Sequence, residues 1–263
     1  MRYRIAPLIL AVLISDALPA QATIAERVGA AGTRTVALTT RARSEVCGDG
    51  VDVVSDGLGG AMQFYSEYYD GSEWTRRPCV HGPLRLTLRM VDGVPSRLRA
   101  TAGALPTLGD TVLDLGTVGA AAAGEYLRDL VRHDDGRVGM QALLPLILVD
   151  STPRWDILAI AARDSTRTRR YRQRASELLA RGAAGMLGAA GWSDDAAAEQ
   201  RRAVVSALAN RAIRGSDPVP DLLEIARSNP HPDARAAAIH QLGQTADMRA
   251  ISLFASLLGL STP

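Results

Sequence analysis

The last third of the chain repeats a ten-residue pattern at an interval of 34 residues. Positions 201–210 read RRAVVSALAN and positions 235–244 read RAAAIHQLGQ, so that arginine and a run of small apolar residues return in register. A helical pattern that recurs at this period indicates stacked helix pairs, because one pair cannot bury its apolar face without a neighbour. Stacks of this kind usually bind other molecules, and the repeat therefore predicts an interaction protein.

Proline and acidic residues mark where the repeated helices begin and end. Asp217-Pro218 opens one helix, Pro230 ends it, and Pro232-Asp233 opens the next with a carboxylate in its positive first turn. The predicted helices cover residues 120–131, 139–149, 155–163, 167–180, 183–190, 196–211, 219–227, 233–244 and 248–258.

Residues before about 117 are rich in Gly, Thr and Val and alternate with a period of two, which predicts strands. These strands are predicted at 35–41, 51–55, 84–91 and 111–115, with a further one after 93. We therefore expect an α+β protein in three parts. The predicted parts are a β-rich domain over 23–117, connecting helices over 118–149 and helical repeats over 150–263.

The strand 84–91 and the alternating segment after it predict a hairpin whose register depends on its loop. A two-residue Asp-Gly turn would pair Leu88 with Arg97 and place a guanidinium on the apolar face. A three-residue loop at 91–93 instead pairs Leu86 with Leu98. The three-residue loop is therefore the prediction.

The first residues have the layout of a secretory signal peptide. Arg2 and Arg4 precede an apolar run over 5–14, which is too short to span a bilayer, and a small-residue site ends at Ala22. We expect cleavage after Ala22 and a periplasmic or secreted protein of bacterial type. An uncleaved, membrane-anchoring first helix is the alternative. No later stretch approaches about 18 uninterrupted apolar residues, so no transmembrane segment is expected.

Export makes a disulfide the expected state of the two cysteines, Cys47 and Cys79. Closing that loop would stabilise the fold by roughly 3–4 kcal/mol in the chain-entropy account. A metal site on the two thiols lacks a second cysteine pair or a CxxC spacing. The formal net charge of +2 gives no general attraction to nucleic acid, which is not an expected partner.

The final repeat unit, residues 229–243, resembles a HEAT repeat of the short, phycobilisome-lyase-like bacterial kind. Such repeats show an aspartate, an arginine two residues later, small residues and Leu-Gly, and Asp233, Arg235, Leu242 and Gly243 match this pattern. The resemblance covers roughly 150–260, and the first unit departs from it because Arg169 stands where the acid should be. The layout also resembles exported bacterial HEAT-repeat domain-containing proteins.

The HEAT resemblance implies a right-handed stack of helix pairs with a concave, protein-binding face, and it brings no catalytic residues. Signatures of common enzymes, such as GxSxG, HExxH and the Walker loop, do not occur in the sequence. Three aspartates, Asp49, Asp52 and Asp56, lie close together but lack the spacing of an EF-hand calcium loop. We expect no enzymatic activity, no cofactor and no metal.

Three sets of residues are candidates for binding. Arginines on the predicted helix 167–180 align at i, i+3 and i+7 and could grip carboxylates or phosphates, the alternative being a solvated face. The apolar end of helix 248–258 leaves leucines outside and offers a contact to a partner or to a second copy of the chain. An aromatic cluster at 64–74 is either a small core or a surface for a glycan or peptide. The residues concerned are Arg167, Arg170 and Arg174; Leu253 and Leu257; and Tyr65, Tyr68, Tyr69 and Trp74.

Together these patterns predict a non-enzymatic exported adaptor that binds another protein of the cell envelope through its helical repeats. The first alternative is a glycan- or peptide-binding module that uses the aromatic segment 64–74. A hydrolase or lyase is a third and weaker interpretation. The sequence does not identify the partner.

Overall fold

The computed structural model describes residues 22–50, 80–134, 136–151, 155–188, 195–211 and 215–261, and the backbone alone of 53–55 and 62–64. These residues form a mixed helix-and-strand structure, which confirms the α+β class. The predicted signal peptide, apart from Ala22, lies outside the described residues.

Strands make two sheets of four strands each within the described residues. The first sheet has the order β7-β6-β1-β8, in which β1 and β8 are parallel and the other pairs are antiparallel. The second sheet has the antiparallel order β4-β3-β2-β5. The strands are β1 Thr35–Thr40, β2 Val46–Gly48, β3 Val53–Ser55, β4 Met62–Phe64, β5 Val80–His81, β6 Leu84–Val91, β7 Val94–Ala102 and β8 Val112–Thr117.

Strand β6 has the predicted bounds and the predicted alternation. Its leucines and methionine are fully buried, while Arg85, Thr87 and Arg89 point to the other face. In the neighbouring strand β1, Val36 and Leu38 lie opposite Leu88 and Leu86 and are equally buried. One face of the first sheet is therefore apolar and forms part of the core.

The hairpin between β6 and β7 contradicts the predicted three-residue loop. Asp92 and Gly93 both have positive φ values, 50° and 78°, and form a two-residue turn. The register then shifts by one residue, because Arg89 pairs with Arg97 and Ser96 is an extra residue on β7. This β-bulge brings Leu88 opposite Leu98 and keeps guanidinium groups off the apolar face.

The glycines of the Cys47-Gly48-Asp49-Gly50 segment allow the backbones of the two sheets to come close together. Asp49 forms an isolated bridge with Gly103 just after β7, and the Gly50 amide donates to the Ala102 carbonyl at 2.8 Å. A Cβ on Gly103, whose φ is +89°, would lie 2.1 Å from the Gly48 carbonyl oxygen. The segment is therefore a junction between two backbones, where glycine provides the space for their close approach.

The described helices match most of the predicted ones to within about two residues. One prediction is wrong, because helices 167–180 and 183–190 are a single helix, α5, that continues to Gly185. Gly182 lies inside it where the Trp155 ring packs, so this glycine provides space and does not break the helix. The helices are α1 Ile24–Gly29, α2 Ala120–His133, α3 Arg137–Leu148, α4 Trp155–Arg163, α5 Arg169–Gly185, α6 Ala196–Ala209, α7 Val219–Ser228, α8 Pro232–Gly243 and α9 Met248–Leu257.

Helices α4 to α9 do not pack in simple chain order. Helix α8 contacts both α5 and α6 and so lies between them, while α9 contacts α4, α5, α7 and α8. The final helix thus packs back against the first helix pair, α4 and α5. The stack of helix pairs inferred from the repeat remains a prediction.

The position of α9 corrects the prediction that Leu253 and Leu257 form an uncovered apolar end. Leu253 is buried, with 9% of its surface exposed, and Leu257 packs partly buried against the core. Helix α9 packs against α4, α5, α7 and α8, so it is not an uncovered terminal helix. Leu253 is thus a core residue and not a surface contact.

The connecting helix α3 attaches the helices to the first sheet. Helix α3 contacts β7 and α5, and the Leu98 amide of β7 donates to the Gln141 carboxamide oxygen at 2.9 Å. Beyond β1, the chain bridges to the end of α3 through Ala42 and Val149, and the Arg43 amide donates to the Leu148 carbonyl at 2.9 Å. One contiguous hydrophobic core extends from α1 through the sheet to α9. The predicted domain boundaries remain predictions.

Candidate functional site

Arg167, the first residue of the predicted arginine ladder, makes contacts within the protein. Its guanidinium lies 5.1 Å from the centre of the Tyr171 ring, pairs with Asp164 at 3.3 Å and donates to the Arg132 carbonyl at the end of α2. Only 13% of the side chain is exposed. Arg167 therefore holds the start of α5 to the end of α2 and does not extend from the surface toward a partner.

Two neighbours reinforce this junction between α2 and α5. The buried Tyr171 hydroxyl donates to the Val131 carbonyl at 2.8 Å. Hydrogen bonds from Thr166, and then from Arg167, lower the pKa of Asp164. Arg167 and Tyr171 of the basic stretch thus make contacts within the protein. The spacing of the arginines alone could not predict these contacts.

The other two ladder arginines remain at the surface of α5. Arg170 is exposed, and Arg174 is half-buried beside Glu177, with 3.3 Å between the guanidinium and the carboxylate. Glu177 also accepts a hydrogen bond from the Gln173 carboxamide at 3.3 Å. This carboxylate partly offsets the positive charge of Arg174.

Arg181, which the sequence analysis missed, lies two turns further along the same face of α5. Desolvation, followed by the nearby positive charge of Arg174, lowers the pKa of Arg181, and Glu177 only partly opposes this. Arg174 and Arg181 stand at i and i+7, and the predicted helix break at 181 concealed this alignment. The continuity of α5 is therefore what brings Arg181 into the site.

His240 of helix α8 and Gln244, the residue that caps the C-terminal end of that helix, complete the site. The packing of α8 beside α5 removes part of the water around the His240 ring, and this desolvation, with the charge of Arg181, lowers the pKa of His240. The Gln244 carboxamide nitrogen lies 3.3 Å from His240 Nε2. Sequence reasoning could not place His240 next to Arg181, because the two residues are 59 positions apart.

A glycine allows the two helices to come this close. A Cβ on Gly243 of α8 would lie 2.5 Å from the Ala180 Cβ of α5 and 3.4 Å from the Glu177 Cα. We call the resulting surface the α5–α8 seam. It consists of Arg170, Arg174, Glu177, Arg181, His240 and Gln244.

The α5–α8 seam has the chemistry of an anion-binding surface. The side chains of Arg174, Arg181 and His240 interact with the Glu177 carboxylate, and Arg170 lies two turns away on the same helix. Guanidinium groups bind carboxylates bidentately. Both supporting elements are rigid helices with buried inner faces. The seam can therefore present fixed donors to an acidic segment of another molecule.

Asp233, the acid of the HEAT-like pattern, forms a contact between repeat units. Only 3% of the surface of Asp233 is exposed. Its carboxylate lies 2.7 Å from the Arg201 guanidinium of α6. The hydrogen bond from Arg201 lowers the pKa of Asp233. Arg201 occupies the repeat position that Arg235 holds in the next unit, so an arginine of one unit binds the aspartate of the following one.

The remaining predicted residues are only partly within the described chain. Tyr65, Tyr68, Tyr69, Trp74 and Cys79 all lie outside the described residues, and Phe64 is described by its backbone alone. Cys47 is fully buried in β2 and is not a free thiol. The aromatic site and the pairing of Cys47 with Cys79 therefore remain predictions.

Metal-ligating side chains do not cluster in the part of the chain that the structure describes. His81 Nδ1 contacts the Val46 carbonyl at 3.2 Å and His133 Nδ1 contacts the Asp129 carbonyl at 3.0 Å, so these two imidazoles have backbone partners. Asp52 and Asp56 of the calcium alternative lie outside the described residues. None of the described helices has the length and apolarity needed to cross a membrane.

Comparison of the chain with protein-family models, with curated proteins and with solved structures gives no match. The HEAT resemblance therefore rests on the sequence pattern of the final unit and on the helices that this pattern forms.

Proposed function

We propose that the protein is a non-enzymatic adaptor that binds an acidic segment of a partner protein through the α5–α8 seam. The observation that carries this proposal is the convergence of Arg174, Arg181 and His240 around the single carboxylate of Glu177. Desolvation and the charge of Arg174 lower the pKa of Arg181, which also interacts with another group of the chain. An acidic side chain of a partner would complement the positive charge of the seam.

The contacts of Arg167, the first residue of the arginine ladder, exclude it from the proposed binding surface. Arg167 is held by Asp164, Tyr171 and the Arg132 carbonyl, so it contributes to folding in this proposal and not to binding. Arg170 and Arg174 of the original ladder remain available as part of the seam. Half-buried guanidinium groups bind carboxylates more strongly than fully solvated ones, because less water screens the charges.

The proposal includes three features inferred from the sequence. The helical part is a short HEAT-like stack, with α4, α9 and α7 in one layer and α5, α8 and α6 in the other, an arrangement supported by the contacts between these helices. A Cys47–Cys79 bridge stabilises the β-rich part. The protein acts in the periplasm or outside the cell, after cleavage behind Ala22, and its partner is a protein of the cell envelope.

Photo-crosslinking tests this proposal at the seam. The exposed Gln244 is replaced with a photoreactive amino acid, and the exposed Gln200 of α6 is replaced in the same way as the positional control. We expect Gln244, and not Gln200, to crosslink to one dominant envelope protein in living cells. Mass spectrometry should identify the crosslinked peptide of the partner protein, and that peptide should contain an acidic segment.

Charge reversal then separates the seam from a general effect of positive charge. Arg174→Glu with Arg181→Glu should abolish the crosslink, whereas Arg137→Glu with Arg227→Glu, an equal charge change at two exposed arginines, should leave it intact. Circular dichroism checks the fold of each variant, and Arg181→Gln replaces Arg181→Glu if the charge reversal prevents folding. Persistence of the crosslink in the folded seam variant would overturn the proposal.

A further inference from the structure

Within the described helices, the Arg201–Asp233 pair that joins α6 to α8 has no counterpart between α8 and α5. Arg201 has the repeat position of Arg235, and Asp233 has the repeat position of Arg169. If the same contact recurs one helix further along the layer, Arg235 meets an arginine in place of an aspartate. The contact between α8 and α5 therefore lacks one carboxylate that the contact between α6 and α8 contains.

A second contact between α6 and α8 defines the register of this comparison. Ser206 of α6 lies beside Gln241 of α8, with 3.4 Å between the hydroxyl oxygen and the carboxamide nitrogen. Residues further along α6 thus contact residues further along α8, and the two helices run parallel. The residues of α8 and α5 with the same repeat positions as this pair are His240 and Glu177.

Helix α8 packs on α5 in the same register. A Cβ on Gly243 would lie 2.5 Å from the Ala180 Cβ, and these two residues are as far apart in sequence as His240 and Glu177. The same separation places Arg235 level with Arg172 of α5, and Arg169 stands about one turn before Arg172. Three arginines therefore meet where the starts of α5 and α8 pack together.

Two of these arginines have buried donors without an acceptor. The Nε atoms of Arg172 and Arg235 are buried and make no hydrogen bond, and neither guanidinium pairs with a carboxylate in the described part of the chain. Both side chains are half-buried, while Arg169 is exposed at the surface. In the equivalent contact it is the Arg201 Nε atom that donates to Asp233, at 2.7 Å. The atom that has an acceptor in one unit therefore lacks it in the next.

The acids nearest to these arginines in sequence already have partners. Asp164, before α5, accepts hydrogen bonds from Thr166 and Arg167, and Asp233 pairs with Arg201. The first turn of α5 contains no acidic residue. The three arginines therefore combine positive charge with unused donors at a half-buried position.

We propose that Arg169, Arg172 and Arg235, which we call the arginine cluster, bind a carboxylate group in place of the aspartate that α5 lacks. Nε and one terminal nitrogen of a guanidinium can donate together to the two oxygens of a carboxylate. A buried donor without an acceptor is unfavourable, so a ligand that supplies the acceptor is favoured. The fold itself uses a carboxylate at the equivalent contact.

A free dicarboxylate and an acidic side chain of another protein present the same group to the arginine cluster. The cluster shares no residue with the α5–α8 seam and lies toward the starts of the same two helices. Its ligand can therefore be tested separately from the partner of the seam.

Isothermal titration calorimetry of the full chain with succinate tests the site. Arg235→Gln should weaken succinate binding at least about tenfold, since a charge-assisted contact is lost. Arg227→Gln, at an exposed position of α7, is the matched control and should change binding less than about twofold. The seam variant Arg174→Glu with Arg181→Glu should retain succinate binding, so that failure of one proposal can be distinguished from failure of the other.

A tetra-aspartate peptide distinguishes the two sources of the carboxylate. Its binding is measured in the seam variant, where the seam no longer attracts anions. Tighter binding of the peptide than of succinate would identify an acidic side chain of a protein as the ligand. Binding of the peptide that is no tighter would identify a free carboxylate. Either result supports the site, provided that Arg235→Gln reduces it.

Arg169→Asp supplies the missing carboxylate within the chain itself. The melting temperature should rise by about 2–4 °C while succinate binding is lost, a combination that a misfolded variant cannot give. Arg170→Asp makes the same charge change in the same turn of α5 and should keep succinate binding within about threefold. A melting temperature no higher in Arg169→Asp than in Arg170→Asp would overturn the proposal. Absence of binding by both succinate and the peptide, or tighter binding of inorganic phosphate through the same arginines, would overturn it as well.

Discussion

The Arg201–Asp233 pair shows how a residue that looks like a surface acid becomes part of the interior. Asp233 opens α8, where a carboxylate is favourable for electrostatic reasons, and the sequence predicted this helix start. The sequence did not predict that α6 would cover it and supply Arg201 at 2.7 Å. The contact depends on how two repeat units face each other, which a local pattern does not specify.

Replacement of Asp233 with asparagine should destabilise the fold. The change keeps the volume but removes the negative charge beside Arg201, and we expect the melting temperature to fall by about 3–8 °C. Asp110→Asn, at an exposed loop position, is the control and should shift it by less than about 1 °C. A loss no larger than in the control would show that the pair contributes nothing.

The Arg201–Asp233 pair should make the stability of the fold decrease as the pH falls into the acidic range. Because the hydrogen bond from Arg201 lowers the pKa of Asp233, its contribution is complete above the ordinary aspartate pKa and disappears as the pH falls through the lowered folded value. The stability difference between the parent and Asp233→Asn should therefore be constant at neutral pH and shrink below about pH 4. Urea denaturation at a series of pH values measures this difference.

Helix α5 is the element on which sequence reasoning and structure differ most. Its last five residues, Arg181 to Gly185, include two glycines, and they predict a break because glycine is a poor helix former. The helix continues because tertiary packing outweighs propensity: the Trp155 ring fills the space above Gly182. The missed continuity also concealed the alignment of Arg181 with Arg174 in the α5–α8 seam.

Gly182→Ala tests the packing of α4 against α5. Alanine normally stabilises a helix interior by about 1 kcal/mol relative to glycine, but here its Cβ would lie 2.6 Å from the Trp155 ring. We expect a net destabilisation of about 1–2 kcal/mol by urea unfolding. In a Trp155→Leu background the same substitution should be neutral or stabilising, and a cost that persists there would refute this explanation.

In the β6–β7 hairpin, a correct physical rule led to a wrong prediction of the loop length. The requirement that arginines stay off the apolar face is met, and the bounds of β6 are as predicted. The rule was satisfied by a bulge at Ser96, whose hydroxyl donates to the Arg89 carbonyl at 2.9 Å, and not by a longer loop. The alternation of apolar and polar residues along β6 and β7 determines which side chains face inward. Several loop geometries are compatible with that alternation.

At the scale of the whole molecule, composition predicted the order of strands before helices, except for the short helix α1 that precedes β1. Composition could not predict the fold-back of α9 onto α4 and α5, since none of these three helices carries a residue pattern that identifies its neighbours. The same limitation applies to the candidate sites. Arg174 was found from helical spacing, whereas His240 joins it only through the packing of α8 beside α5.

The continuous core predicts that the β-rich and helical parts unfold together. Helix α3 contacts both β7 and α5, and one hydrophobic cluster contains residues from α1 to α9. Differential scanning calorimetry should therefore show a single transition with equal calorimetric and van't Hoff enthalpies. Two resolved transitions would indicate that the predicted domains, 23–117 and 150–263, are independent units.

The attachment of α3 to the chain after β1 has a mechanical consequence. A pull on the sheet and an opposite pull on the helices would stretch the molecule between the two. The bridge between Ala42 and Val149 and the two hydrogen bonds from Arg43 to the end of α3, 2.9 Å and 3.1 Å long, link the halves beside the covalent connection. Tension would be shared by these bonds in parallel, so the molecule should transmit a pull as one stiff body instead of extending like a flexible tether.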